Sequence, residues 1–170
     1  MIEVRQAKSD WDFRRLYELF VEYEADLPDE LRHGVVPETD ELGATYGRNN
    51  AAFLALADGD PIGCVAVRRL DRDTALLLRL FVRPASRGAG AARALSNAAI
   101  EFAKSGAYRR IVLDTNKEQL LPAYRLYRSI GFEECAPFAT VAYECPTFME
   151  LRFTNDADAG RASRRSDLNR

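Results

Sequence analysis

The sequence predicts an α+β domain built around one mixed sheet, and three observations lead there. The chain has 170 residues, and a domain typically runs to ~100–200. Apolar residues make up 47% of it, and a chain of this length buries roughly 70% of its unfolded surface without staples. Strand-like segments dominate up to residue 82, and a strand–helix–strand–helix–strand order follows. That uneven grouping points to α+β rather than regular α/β alternation.

Ile2–Gln6 alternates apolar and polar residues, the period of a half-buried strand. Ser9 or Asp10 can cap the next helix by offering a side-chain oxygen to unpaired N–H groups. Phe13, Leu16, Phe20 and Tyr23 recur at helical steps, so an amphipathic helix runs to about Asp26. Pro28, Gly34 and Pro37 make residues 27–39 irregular, and residues 38–47 are expected to form a second, short helix. Ala51–Ala57 is an apolar run closed by the turn signal Asp58-Gly59-Asp60. Residues 62–70 and 75–82 read as the next strands, separated by Asp71-Arg72-Asp73, so residues 58–82 form an antiparallel meander.

The next helix carries Ala91, Leu95, Ala98 and Phe102 on one face and closes at Ser105-Gly106. Gly106 suits the left-handed position after a helix. Residues 110–114 form a strand around Ile111, Val112 and Leu113. Leu121, Tyr124, Tyr127 and Ile130 then fall at helical spacing. Pro122 fits the first turn of that helix, where no N–H is needed. Gly131 ends it, Phe132 opens a short strand, and residues 147–153 form the last strand. From Thr154 onward the chain is polar, with four arginines and three aspartates. It has too little apolar surface to offset ordering entropy. A disordered tail over 154–170 is therefore expected, leaving residues 1–153 as one domain.

Charge and cysteine usage exclude several classes. Lys+Arg number 24 against 26 Asp+Glu, a net charge of −2, where a nucleic-acid-binding domain shows a basic excess. No apolar run approaches the ~18 residues of a membrane span, and the first residues lack a secretory signal pattern. Cys64, Cys135 and Cys145 are an odd set without CxxC spacing. This argues against a disulfide scaffold or structural zinc and for a reducing, cytoplasmic setting. With His33 the one histidine, no metal site or Ser-His-Asp triad is predicted.

The most informative segment runs from Leu80 to Ala92, joining a strand to a helix with Arg87, Gly88 and Gly90 where the helix begins. A helix N-terminus presents unpaired N–H groups and a positive dipole end. Small residues let an anion approach, and the Arg87 guanidinium matches phosphate oxygens. The segment reads either as a diphosphate site or as glycines that simply turn a strand into a helix. It is not a Walker loop, because no Lys follows Gly90, and not a dinucleotide fingerprint, because Arg93 stands at the third glycine.

Arg87-x-x-Gly90-x-Ala92, preceded by Val82-Arg83-Pro84, resembles the acetyl-CoA signature of the GNAT superfamily of N-acetyltransferases. Ala123-x-x-x-Tyr127-x-x-x-Gly131-Phe132 resembles that superfamily's second motif, in the right order and at about the right distance. The element order over residues 2–153 is similar as well. The resemblance implies a three-layer domain: a central mixed, mostly antiparallel sheet of six to seven strands flanked by about four helices. It implies acetyl-CoA as cosubstrate and transfer of its acetyl group to a primary amine of a small molecule or peptide, by direct attack in a ternary complex. The pantetheine arm would lie along the backbone of Leu80, Phe81 and Val82, at a strand bulge, and the diphosphate on Arg87, Gly88, Ala89, Gly90, Ala91 and Ala92. Asn116 and Tyr124 would complete the cofactor contacts.

The same resemblance makes Tyr127 the acid that protonates the departing thiolate, since a phenol is a donor at neutral pH. Core packing beside Tyr124 and Ile130 is the rival role, and Tyr124 the rival donor. Asn116 is equally a helix cap. The general base stays open. The stretch where many relatives place a carboxylate is Ala75-Leu76-Leu77-Leu78-Arg79, so an acyl-CoA-binding regulatory domain without catalysis is the alternative reading. Arg79 reads first as a solvated strand residue and second as a contact for an acidic substrate group. Glu22, Glu24, Asp26, Glu144 and Glu150 are the other carboxylates considered, each read as solvated by default. His33 reads as a solvated loop residue or a base. Acceptor specificity is assigned to residues 27–37 and 135–146. The second of these loops holds Phe138, Tyr143 and Glu144, with Cys135 and Cys145 as buried thiols. A homodimer is compatible with the sequence but not demanded by it.

Overall fold

A computed structural model describes residues 1–154, so all but the first residue of the tail expected over 154–170 lies outside the described residues. Seven strands form one sheet in the order β1-β2-β3-β4-β5-β7-β6. The strands are β1 (Ile2–Gln6), β2 (Ala51–Ala57), β3 (Asp60–Arg69), β4 (Thr74–Val82), β5 (Arg110–Thr115), β6 (Glu133–Glu134) and β7 (Thr147–Arg152). The helices are α1 (Asp10–Asp26), α2 (Thr39–Thr45), α3 (Ala91–Ser105) and α4 (Leu121–Ile130). All strand pairs are antiparallel except β4 with β5. The predicted α+β architecture, with its 58–82 meander, is the one observed. Among the described residues no helix is long and apolar enough to cross a membrane.

Period-two alternation in β3 divides the core between two faces. Cys64 and Ala66 join Leu16, Leu19 and Phe20 of α1 and Leu42 of α2 on one side. Val65 and Val67 join Leu95, Ala99 and Ala103 of α3 and Tyr127 of α4 on the other. Because helices cover both faces, β2 and β3 are buried almost continuously. Fully burying a side chain such as Leu16 or Phe20 contributes about 1.5–3 kcal/mol.

Ser9, not Asp10, is the α1 cap. Its hydroxyl accepts from Asp12 N, while the Asp12 carboxylate accepts from the Lys8 and Ser9 backbone and from Arg5. Gly106 corrects an expectation. Its φ is −78°, and Ala107 takes the left-handed turn at φ 61°. What Gly106 supplies is room, since an added Cβ would stand 3.0 Å from the Tyr108 ring. The thiols also depart from expectation. Cys64 is buried, but Cys135 is only half-buried and Cys145 is exposed, and no disulfide joins them.

Candidate active site

The site begins with one extra residue in β4. Cys64 of β3 faces Phe81 and Ala66 faces Leu78, so two residues on β4 oppose one on β3. Arg79 absorbs this bulge at φ 54°, a left-handed conformation uncommon for a residue with a Cβ. On its other edge β4 pairs with β5 only through Thr74, Ala75 and Leu76. Beyond Leu76 the two parallel strands part. The edge carrying Leu80, Phe81 and Val82 is thus held by β3 on one side and left without a ladder on the other, the arrangement that accepts an added extended segment.

The strand leads directly into an amide-rich loop. A short 3-10 turn over Pro84–Ser86 reverses the chain, and Gly88 and Gly90 follow at φ 84° and 90°. Left-handed backbone at two positions so close together explains both glycines. Gly90 is the N-cap of α3 and offers no side-chain cap, and the first intrahelical bond is Ala94 N to Gly90 O. Among the described residues no protein acceptor meets the backbone N–H groups of residues 88–93. A Cβ built on Gly88 or Gly90 meets no atom within 4 Å. Converging amides, a helix dipole and open space fit a diphosphate. Arg87 is half-exposed beside this cradle. Its Nε donates to Val82 O at 2.9 Å and its Nη2 to Asp26 Oδ2 at 2.8 Å, with the guanidinium over the Phe81 ring.

Across the gap, α4 presents Tyr127. Gly131 ends the helix at φ 121°, and Phe132 turns back with its ring edge-on to Tyr127, centroids 5.7 Å apart. Burial pushes the Tyr127 hydroxyl well above the usual phenol range, and Tyr23 and Asp114 add to that. The group is therefore a proton donor throughout the ordinary pH range. Tyr124 points elsewhere, its hydroxyl donating to Glu134 Oε2 at 3.1 Å on the outer surface. Asn116 is buried, and its Oδ1 accepts from the Glu118 and Gln119 amides in the turn before α4; the helix's N-cap is Leu120, without a side-chain cap, so Asn116 is not the helix cap weighed above.

Two site residues went unnoticed in the sequence. Asp114, near the end of β5, accepts from the Tyr143 hydroxyl at 2.8 Å. Burial and that bond raise the Tyr143 phenol. Tyr23 of α1 is raised by burial, against the opposing charge of Arg79. It packs edge-on to Phe81 at 6.2 Å. Asp114 could have been suspected as a carboxylate at the carboxyl end of a strand, where open sheets gather ligands.

The α1 carboxylates are not solvated by default. Glu22 clasps Arg83 with both oxygens, Glu24 meets Arg79 at 3.2 Å, and Asp26 meets Arg87. Arg79, read first as solvated, is largely buried over the Phe20 ring. Glu150 is taken up by Arg110 and Arg152 on the sheet. Glu24 also holds His33, accepting from its backbone N on Oε2 and bonding its Nδ1 on Oε1, both at 2.8 Å.

A seven-stranded mixed sheet whose parallel β4/β5 pair parts beside an open amide loop is the fold of the GNAT acetyltransferases. Residues 13–132 match the model of the Acetyltransferase (GNAT) family, and the chain belongs to that family. Acetyl-CoA is the family's cosubstrate. The chain is 38% identical over 96 residues to the uncharacterized N-acetyltransferase C1271.07c of Schizosaccharomyces pombe, covering 55% of this chain and 58% of that protein. It is 40% identical over 81 residues to the N-acetylaspartate synthetase of Rattus norvegicus, covering 47% of this chain and 27% of that protein. The chain thus spans little more than half of the first relative and about a quarter of the second. In structure it resembles yncA of Salmonella typhimurium, solved with its cofactor acetyl-CoA. The TM-score is 0.75 at 22% identity, over 91% of this chain and 95% of that one.

Proposed function

We propose that the chain is an N-acetyltransferase that moves the acetyl group of acetyl-CoA to a primary amine of a small molecule or peptide, by direct attack in a ternary complex. The observation that carries this reading is the continuity of the unpaired β4 edge with the cradle of residues 88–93. One edge and one loop fit one extended ligand with an anionic end. Acetyl-CoA supplies the activated acyl carbonyl when bound. The backbone of Leu80, Phe81 and Val82 would hold its arm, and the amides of Gly88 to Ala92 with the Arg87 guanidinium its diphosphate. Asn116 Nδ2 is available for a further contact, since Oδ1 is engaged locally. Tyr127 donates its hydroxyl proton to the departing sulfur, a role its buried, protonated state supports. The gap between β4 and β5 lets the acceptor approach from the side of α1 and of the 135–146 loop, where Tyr143 and Asp114 sit.

Thiol release from acetyl-CoA, followed with a panel of primary amines, tests the reading. Acceptor-dependent release with mass-confirmed N-acetyl product is expected. Coenzyme A binding with no release for any amine or peptide would replace it with a binding module. No coenzyme A binding at all would remove the site.

A further inference from the structure

Glu24 and His33 form an organised pair beside the β4 bulge. Glu24 is buried, at 8% exposure. It clamps the 27–39 loop through two bonds, one to the His33 amide and one to the imidazole Nδ1. A carboxylate can only accept, so Nδ1 is the donor in this bond, and in the neutral imidazole Nε2 is the nitrogen that holds the lone pair. The imidazole is about half-exposed, at 47%, and stacks on Tyr23 at 6.0 Å with an interplanar angle of 20°. Tyr23 in turn abuts Phe81 on the cosubstrate strand. The Glu24 oxygen that meets Nδ1 also meets Arg79, the bulge residue itself. An imidazole fixed in one tautomer, backed by a buried carboxylate and tied to the place where β4 parts, is the arrangement of a general base with its orienting partner.

We infer that His33 is the general base for the acceptor amine and that Glu24 is its positioning residue, an assignment that rests on the transferase reading above. His33 Nε2 takes one proton from the acceptor ammonium and passes it to solvent. The nitrogen lone pair forms the C–N bond while the C–S bond breaks. Sulfur leaves with the Tyr127 hydroxyl proton, and Tyr127 recovers a proton from the new amide nitrogen. The groups facing the imidazole are Glu24 and Tyr23 from α1 and, through the shared Glu24 oxygen, Arg79 from β4. Arg32 and Asp29 on its own segment pair with each other, and Arg32 also donates to the Glu24 and Ala25 carbonyls.

His33 is the one histidine in the chain, which gives a readout independent of turnover. In untagged protein the imidazole nitrogen resonances assign themselves. In the neutral imidazole they should show the Nδ1–H tautomer, and Glu24→Gln should weaken that preference. In turnover, His33→Ala should lower kcat/KM about 10²-fold and lose the acidic limb of the pH profile, with coenzyme A affinity unchanged. Added imidazole should restore part of the rate in proportion to its concentration. A His33→Ala rate equal to wild type overturns the assignment. So does a loss that imidazole does not rescue, or an acidic limb that vanishes in Asp114→Asn and persists in His33→Ala. If the wild-type chain transfers no acetyl group, the transferase reading fails. The resonance experiment then decides the pair alone, and an imidazole with the Nε2–H tautomer, indifferent to Glu24→Gln, refutes it.

Discussion

Replacing Gly90 by alanine separates a backbone cost from a ligand cost. Gly90 has φ 90° and ψ 5°, so a Cβ there costs about 1–2 kcal/mol of left-handed strain. No atom beyond its chain neighbours lies within 4 Å of that Cβ, so no packing loss or clash adds to it. Gly59, in the β2–β3 turn, has φ 85° and equally open surroundings. Gly59→Ala therefore carries the same strain without touching the cradle. At roughly 2–4 °C per kcal/mol for a chain of this size, both variants should melt about 2–8 °C lower. Coenzyme A distinguishes them. A hydrogen bond to a charged group contributes ~1.5–3 kcal/mol, and each 1.4 kcal/mol is tenfold in Kd. A methyl group that displaces the diphosphate from even one amide should then weaken binding roughly 10- to 100-fold. Calorimetric titration with coenzyme A should show that loss for Gly90→Ala and none for Gly59→Ala. Equal affinities in the two variants would mean that the diphosphate does not rest on these amides, and the cradle would lose its role.

Tyr127→Phe removes only a hydroxyl and keeps the ring against Phe132. It should lower kcat by about tenfold to 10²-fold in the thiol-release assay while leaving coenzyme A affinity intact, and an undiminished kcat would reject the acid role. Gly63→Ala would place a Cβ 2.6 Å from Phe81 O, a backbone atom that cannot swing aside. A loss of about 1–3 kcal/mol in urea unfolding is expected, and an unchanged midpoint would contradict the β3–β4 register. Asp12 is raised by burial, but the Lys8 and Ser9 amides and the Arg5 and Ser9 side chains outweigh it, and its carboxyl is held below the usual range. A group with a lowered folded value contributes stability above the unfolded value of ~3.9 and loses it as pH falls through the folded one. The stability gap between wild type and Asp12→Asn should therefore be widest above about pH 4 and close in more acidic solution, and a gap independent of pH would refute the attribution.

The elements were legible because each carries a local signal: Ser9 at the α1 cap, Gly59 in the β2–β3 turn, Pro122 in the first turn of α4, Gly131 at its end. The cradle was legible for the same reason, since two left-handed positions need two glycines. The bulge was not. It rests on Arg79, a residue with no preference for positive φ, and is imposed by the pairing of β4 with β3. An extra residue shifts the two-residue alternation from that point on, so the side chain read as solvated turns onto Phe20 and Glu24. Asp114 and Tyr143 stand 29 positions apart, and no spacing rule joins them. The Gly106 expectation failed because a left-handed turn and room for an aromatic ring both ask for glycine, and here the ring needed it.

Arg79, Arg83 and Arg87 recur every four residues from the bulge onward, and α1 meets them with Glu24, Glu22 and Asp26 respectively. The three pairs differ in what they can do. Those of Arg83 and Arg87 are a third to a half exposed, and exposed pairs contribute about 0–1 kcal/mol. Their effect lies less in stability than in fixing the end of α1 against the loop that carries the cradle. The Glu24–Arg79 pair is only 10% and 15% exposed, and removing one partner of a buried pair leaves an uncompensated charge, a cost of about 3–5 kcal/mol in fully buried cases. That asymmetry means Glu24 cannot drift without Arg79, and Arg79 cannot drift without the bulge. The helix that carries Glu24 and holds His33 is thereby locked in register with the bulged part of β4.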